Sequence, residues 1–208
     1  MKRFKQFVLL MVLVLLIPGC AVNYHRINPN AIVHPSFKVE DGLKYAYKYD
    51  VLRTSGNKRY AKYELKRGMR LVGVQLTNLS DSTIRLSRDC DLYAGGVTII
   101  PMDIIHMSKT LRQKELPYLL YMLLTNFKLE YTVSTPSQTT TGSFPIGAFL
   151  GPGLTLLNGL KAGIANKRMT TNLLESDIWN RDIQSGETVS GLVGIEGRDF
   201  LRIEIKKK

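Results

Sequence analysis

The chain has 208 residues, with 29 basic and 17 acidic side chains and a net charge of +12 at neutral pH. That length suits a single domain once a leader is removed. Its two cysteines allow one disulfide at most, so stability must come chiefly from a hydrophobic core. The basic excess argues for anionic surroundings or partners and says nothing about fold.

Lys2, Arg3 and Lys5 open the chain, and Phe7 to Ile17 is an unbroken apolar run that closes in Pro18-Gly19-Cys20. A charged start, an apolar stretch of roughly 7–15 residues and small closing residues form a secretory signal. The run is shorter than the about 20 apolar residues needed to cross a bilayer core. Ile17-Pro18-Gly19-Cys20 resembles the lipobox of bacterial lipoproteins. The resemblance implies that residues 1–19 are a signal peptide, that the Cys20 sulfur receives a diacylglyceryl group, and that the new amine is acylated after cleavage. Several acyl chains at one residue anchor stably where one chain would be marginal. Ala21 follows, where an aspartate would resemble an inner-membrane retention signal, so the expected address is the outer membrane of a Gram-negative cell, on either its periplasmic or its outward side. Without the leader, 26 basic residues face 17 acidic ones, a net charge of +9. An exported chain of this kind is not expected to meet nucleic acid. Lipid headgroups, lipopolysaccharide phosphates and acidic glycans are the anionic partners in reach.

Residues 20–41, with Pro29, Pro35 and little periodicity, read as a lipidated tether. Strand signals follow. Leu43, Tyr45, Tyr47, Tyr49 and Val51 alternate with polar or small residues, the pattern of a half-buried strand. Thr54-Ser55-Gly56-Asn57 reads as a turn, and 59–65 as another strand. Over 69–78, Leu71, Gly73, Gln75 and Thr77 take one face and Val72, Val74 and Leu76 the other. Residues 83–86 form a short strand, and 91–101 a hairpin turning at Gly95-Gly96, a pair that tolerates positive φ. Near the end, 187–195 and 199–205 are strand-like.

Between these sets lies different sequence. Ser108 to Leu124 reads as helical with a break at Pro117, and its LPYLLYMLL stretch is apolar on nearly every side, as in a buried or membrane-contacting helix. Residues 132–143 read as a polar Ser/Thr loop. The stretch 144–167 reads as two short apolar pieces divided by Pro152-Gly153, and 170–180 as a short helix. The expected fold class is therefore mainly β with a helical insertion (α+β). Residues 42–208 form one sandwich-like domain, with the apolar α-helical insertion at about 104–180. The segment 69–78 and the terminal strands resemble the immunoglobulin-like β-sandwiches of many bacterial lipoproteins.

Two candidate contact sites stand out. Gly147 and Gly151, and again Gly159 and Gly163, are small residues four apart, a spacing that lets helix backbones approach closely. They serve internal packing, self-association or docking on an envelope protein through 144–165, or shallow insertion in a bilayer. Lys44, Lys48, Lys62, Lys66 and Arg67 form a basic concentration, either a solvated face or a site for an anionic lipid or glycan. Tyr45, Tyr47 and Tyr49 fill a sandwich interior or stack on sugar rings. Cys90 reads as a small buried hydrophobe. Catalytic signatures such as G-x-S-x-G, H-E-x-x-H or a P-loop are absent from the sequence. The scattered His25, His34 and His106 give no metal spacing, and a Cys90–His106 pair lacks an orienting group. The sequence implies no cofactor and no enzyme. The expectation is a non-enzymatic binding or assembly component of the envelope. A glycan-binding module and an envelope hydrolase with an unfamiliar site are the alternatives.

Overall fold

A computed structural model describes residues 21–208; the leader and the lipidation candidate Cys20 lie outside the described residues. Strand β1 (Lys38–Glu40) turns at Asp41-Gly42 into β2 (Leu43–Lys48). Both turn residues have positive φ, 50° and 72°, as an Asp-Gly hairpin turn of the primed type requires. Helices α1 (Val51–Thr54) and α2 (Lys58–Lys66) precede the long strand β3 (Met69–Asn78). Then come β4 (Ile84–Arg85), the single turn α3 (Leu86–Asp89), β5 (Cys90–Ala94) and β6 (Val97–Ile99), the last two joined at Gly95-Gly96 as expected. Helix α4 (Ile104–Leu111) is followed by an eleven-residue 3-10 helix, Leu116–Asn126. The hairpin β7 (Leu129–Thr135) and β8 (Gln138–Phe144) leads into α5 (Gly147–Glu175), and β9 (Asp182–Ile183), β10 (Thr188–Glu196) and β11 (Ile203–Lys207) complete the chain.

Helix and strand take comparable shares, so the class is α+β. The chain divides into two compact units. Among the described residues, one comprises 21–22 and 114–164, and the other 23–113 and 165–208. The separate part is thus narrower than the insertion read from the sequence.

In the larger unit, β1-β2-β3-β10 form an antiparallel sheet and β11-β5-β6 a second one. Register places Tyr45 opposite Leu76, Val189 opposite Leu76 and Val193 opposite Val72, so these side chains share one face. They meet Cys90, Leu92, Ile203 and Ile205 of the second sheet, with Ile84 and Ile183, in one buried cluster. Alternation explains this: period two sends every second residue inward. The other face of β3, with Leu71 and Gly73, packs under α1 and α2, and β10 under α4.

Five local expectations are corrected. The strand read from Leu43 to Val51 ends at Lys48, because Asp50 takes a left-handed φ of 58° and Val51 opens α1. Residues 59–65 are not a strand but the body of α2. Lys, Ala, Glu and Leu favour helix, and i, i+4 spacing buries Tyr60 and Glu64 together. Residues 132–143 are not a loop but most of the β7–β8 hairpin, because β-branched threonines fit a pleated strand even when polar. Pro152 does not divide 144–167, and no separate helix starts at 170: α5 runs unbroken. Its buried positions Gly151, Asn158, Ala162, Ala165, Met169 and Leu173 keep the helical period past the proline, so packing carries the helix through. Finally, the described part of the 20–41 stretch is not a free tether: Ala21, Tyr24 and Ile27 are buried, and Lys38–Glu40 is strand β1 of the first sheet.

Candidate functional site

The smaller unit is built around unusual exposure. In its 3-10 helix, side chains three apart eclipse, which makes three rows. One row, Tyr118, Tyr121 and Leu124, is buried or half-buried. The other two expose Leu116, Leu119, Leu120, Met122 and Leu123, with Leu116 and Leu123 at 74% and 76% exposure. Helix α5 repeats the pattern. Its buried side within this unit carries Gly147, Gly151, Asn158 and Ala162. Phe149, Leu156, Leu157, Leu160 and Ile164 recur at helical spacing on the opposite side, and all are exposed. On the hairpin, Leu129, Tyr131 and Val133 share a face with Phe144, whose ring stacks on Phe149 at 6.1 Å, joining hairpin and helix stripe into one surface.

The four glycines separate into two kinds. A Cβ at Gly147 would sit 2.0 Å from the Leu124 carbonyl oxygen, and one at Gly151 would sit 2.9 Å from that of Tyr121. Those two let α5 lie directly on the 3-10 helix, so internal packing uses them. A Cβ at Gly159 would meet nothing within 4 Å, and one at Gly163 only the Glu115 carboxylate at 3.9 Å. The second pair is open.

Asparagines hold the start of the described chain. In the smaller unit, Ala21 N–H donates to Asn158 Oδ1 at 2.9 Å, and Ala21 packs with Tyr118 and Ala162. In the larger unit, Asn57 takes both backbone groups of His25: Oδ1 accepts from its N–H at 2.8 Å, and Nδ2 donates to its carbonyl at 2.7 Å. Asn172 does the same for Ile27, and its Oδ1 also accepts from the Tyr24 hydroxyl at 2.7 Å. Each amide replaces a strand neighbour, satisfying an extended backbone that forms no ladder.

The basic residues fall on two elements. Lys44 and Lys48 occupy β2, with the Lys44 ammonium 5.0 Å from the Phe37 ring centre. Lys62 and Lys66 lie exposed on α2, and Arg67 beyond its end packs against the Tyr63 ring at 5.2 Å. None of the five forms an ion pair among the described residues. Beside Lys48 the His34 imidazole is held below its ordinary pKa, first by burial and then by that lysine's charge, while the Tyr47 backbone acts the other way. Tyr45 is fully buried, and Tyr47 and Tyr49 pack against the same cluster, so the three tyrosines form no outward stacking platform. Cys90 is a buried free thiol, pushed up to about 11 chiefly by burial. No group of three His, Cys, Asp or Glu side chains that could hold a metal occurs among the described residues.

One polar cluster had no forewarning in the sequence. Glu64 is fully buried on α2, its Oε1 accepting from the Leu71 N–H while Oε2 has no partner. Burial pushes its carboxyl up to about 7, against the opposing pull of the Leu71 N–H and of Arg70. Arg70 donates to the Arg198 carbonyl, lies 3.6 Å from Asp50 and stacks 4.4 Å over Phe200. The arrangement braces the sheet end. The groove lined by Tyr24, Arg26, Lys167, Arg168 and Glu175, about 550 Å³, has one of its cations, Arg26, already paired to Glu175 at 2.7 Å. A smaller one of about 290 Å³ sets Trp179 beside Asp103 and Asp177. Both carboxylates are occupied, Asp103 by the His106 N–H and Asp177 by the Trp179 N–H and Asn180.

No family model, no curated protein and no solved structure matches this chain. Among the described residues no helix is long and apolar enough to cross a membrane.

Proposed function

We propose that the chain is an outer-membrane lipoprotein, held by an acylated Cys20 and acting without catalysis as a binding or assembly component of the cell envelope. The observation that carries this reading is the pairing of a lipobox-like leader with a unit that exposes rows of large apolar side chains. Contiguous apolar surface of this kind marks contact with a membrane or a partner. The larger unit serves as the scaffold. Its two sheets of four and three strands enclose one core, an architecture like that of the smaller immunoglobulin-like sandwiches. The likeness stops at architecture. Counting those seven strands along the chain, the first, second, third and sixth share a sheet here, whereas the immunoglobulin order groups the first, second, fourth and fifth.

Intact-mass measurement of the protein from its own membrane tests the assignment. The expected mass is that of residues 20–208 plus a diacylglyceryl group and an amide-linked acyl chain, and Cys20→Ser loses the added mass. An unmodified mass for the native chain contradicts it.

A further inference from the structure

The anchor and the apolar unit meet at one residue. Ala21, one peptide bond beyond the expected acylation site, is not at the end of a free tether. Its N–H is held by Asn158 and its methyl is buried against Tyr118 and Ala162, all within the smaller unit. Acyl chains at Cys20 would therefore start one residue from this unit, with no tether between them, so the bilayer that receives them lies within reach of its exposed side.

Resting on the lipoprotein reading, we propose that the exposed apolar side of the smaller unit lies in the interfacial zone of the same bilayer that holds the Cys20 acyl chains. The stripe Phe149, Leu156, Leu157, Leu160 and Ile164 would enter it, together with the outer rows of the 3-10 helix. The chemistry fits a lipid boundary. The described part of the unit carries only five charged side chains, Lys114, Glu115, Lys128, Glu130 and Lys161, and none interrupts the stripe. Lysine at the margin of an apolar face reaches headgroups while its stem stays in the apolar layer. Among the described residues no helix is long and apolar enough to cross a membrane, whereas an element apolar on its outer side can lie in the interface. The hairpin adds Tyr131 and Val133 on the face that Phe144 continues toward Phe149.

The test uses the full lipidated chain in vesicles of phosphatidylethanolamine and phosphatidylglycerol. Leu157→Cys and, separately, Leu120→Cys are labelled with an environment-sensitive fluorophore; buried Cys90 does not compete under native conditions. Nitroxide carried on the lipid acyl chains is expected to quench both labels several-fold more than nitroxide free in the water. Three results overturn the proposal. Labels quenched only from the water show a surface facing solvent. Labels shielded from both quenchers, with cross-links between two copies through position 157, show a second copy as occupant. A lipidated protein that stays in the water without vesicles, its label already in an apolar environment, shows the surface folded over its own acyl chains. Intact mass on the same sample separates the cases: a correct acylated mass with unquenched labels defeats this proposal alone, and a mass without acyl groups defeats the lipoprotein reading beneath it.

Discussion

Two regions of one chain bury apolar side chains very differently. Among the described residues, the larger unit buries thirty-two apolar residues and exposes eleven large ones, whereas the smaller buries three and exposes thirteen. The larger is a core with a surface around it. The smaller has ordered helices and a registered hairpin but few buried apolar side chains among its described residues, so little of its free energy can come from burial among those residues. Regular secondary structure that leaves this many large apolar side chains exposed implies a surface that finishes its burial against something else.

Truncation should show this contrast most strongly. Leu192→Ala, in the larger unit's interior, is expected to cost about 2–5 kcal/mol of unfolding free energy. Leu157→Ala in the smaller unit should change the stability of detergent-free, unacylated protein by no more than about 0.5 kcal/mol. Equal costs by denaturant titration would erase the distinction.

Glu64 gives the larger unit a pH signature. Its folded-state pKa of about 7 lies above the ordinary 4.5, so the folded state holds the proton more tightly. The associated stability is present in full below pH 4.5 and lost as pH rises through 7, a loss on the order of 3 kcal/mol. Glu64→Gln keeps an acceptor for the Leu71 N–H and should flatten the curve between pH 5 and 8. An unchanged curve would assign the slope to another group.

The asparagine clamps come next. Asn172→Ala leaves the Ile27 backbone and the Tyr24 hydroxyl without partners and should cost about 2–3 kcal/mol, read as faster amide exchange over 24–31 as well as lower stability. Unchanged exchange there would mean the segment holds by apolar contact alone.

The smallest effects concern the glycines. Gly147→Ala collides with backbone and should loosen the smaller unit's secondary structure by circular dichroism. Gly159→Ala meets open space and should strengthen α5 by about 0.5–1 kcal/mol through helix propensity. A loss of stability or of self-association on Gly159→Ala would place a partner helix at the open pair.

The strands of the larger unit were legible because a half-buried antiparallel sheet writes its geometry as alternation, and Tyr45, Val72 and Val74 obey it. The helix at 58–66 was less legible, because seven residues that alternate briefly as RYAKYEL satisfy both periods, and only the burial of Tyr60 and Glu64 on one face decides between them. Strand β1 was not legible: the prolines before it make 20–41 read as a tether, although Asp41-Gly42 is the turn into β2. The asparagine clamps are another matter. Asn57, Asn158 and Asn172 lie 32, 137 and 145 residues from the backbones they hold, and no local pattern records such a pairing. The apolar unit was visible as composition in LPYLLYMLL and 144–167. Its exposure was not, because apolar residues on every side of a helix write the same sequence whether a core or a membrane receives them.

Vesicle flotation of the Cys20→Ser protein lacking residues 1–19, with and without Leu156→Gln, Leu157→Gln and Leu160→Gln together, tests the apolar unit as a contact surface most directly. Measurable flotation without any acyl chain, abolished by the three substitutions while the far-ultraviolet spectrum stays the same, is the result this account predicts. A protein that fails to float in either form, with the substituted chain indistinguishable in size and stability, would contradict it.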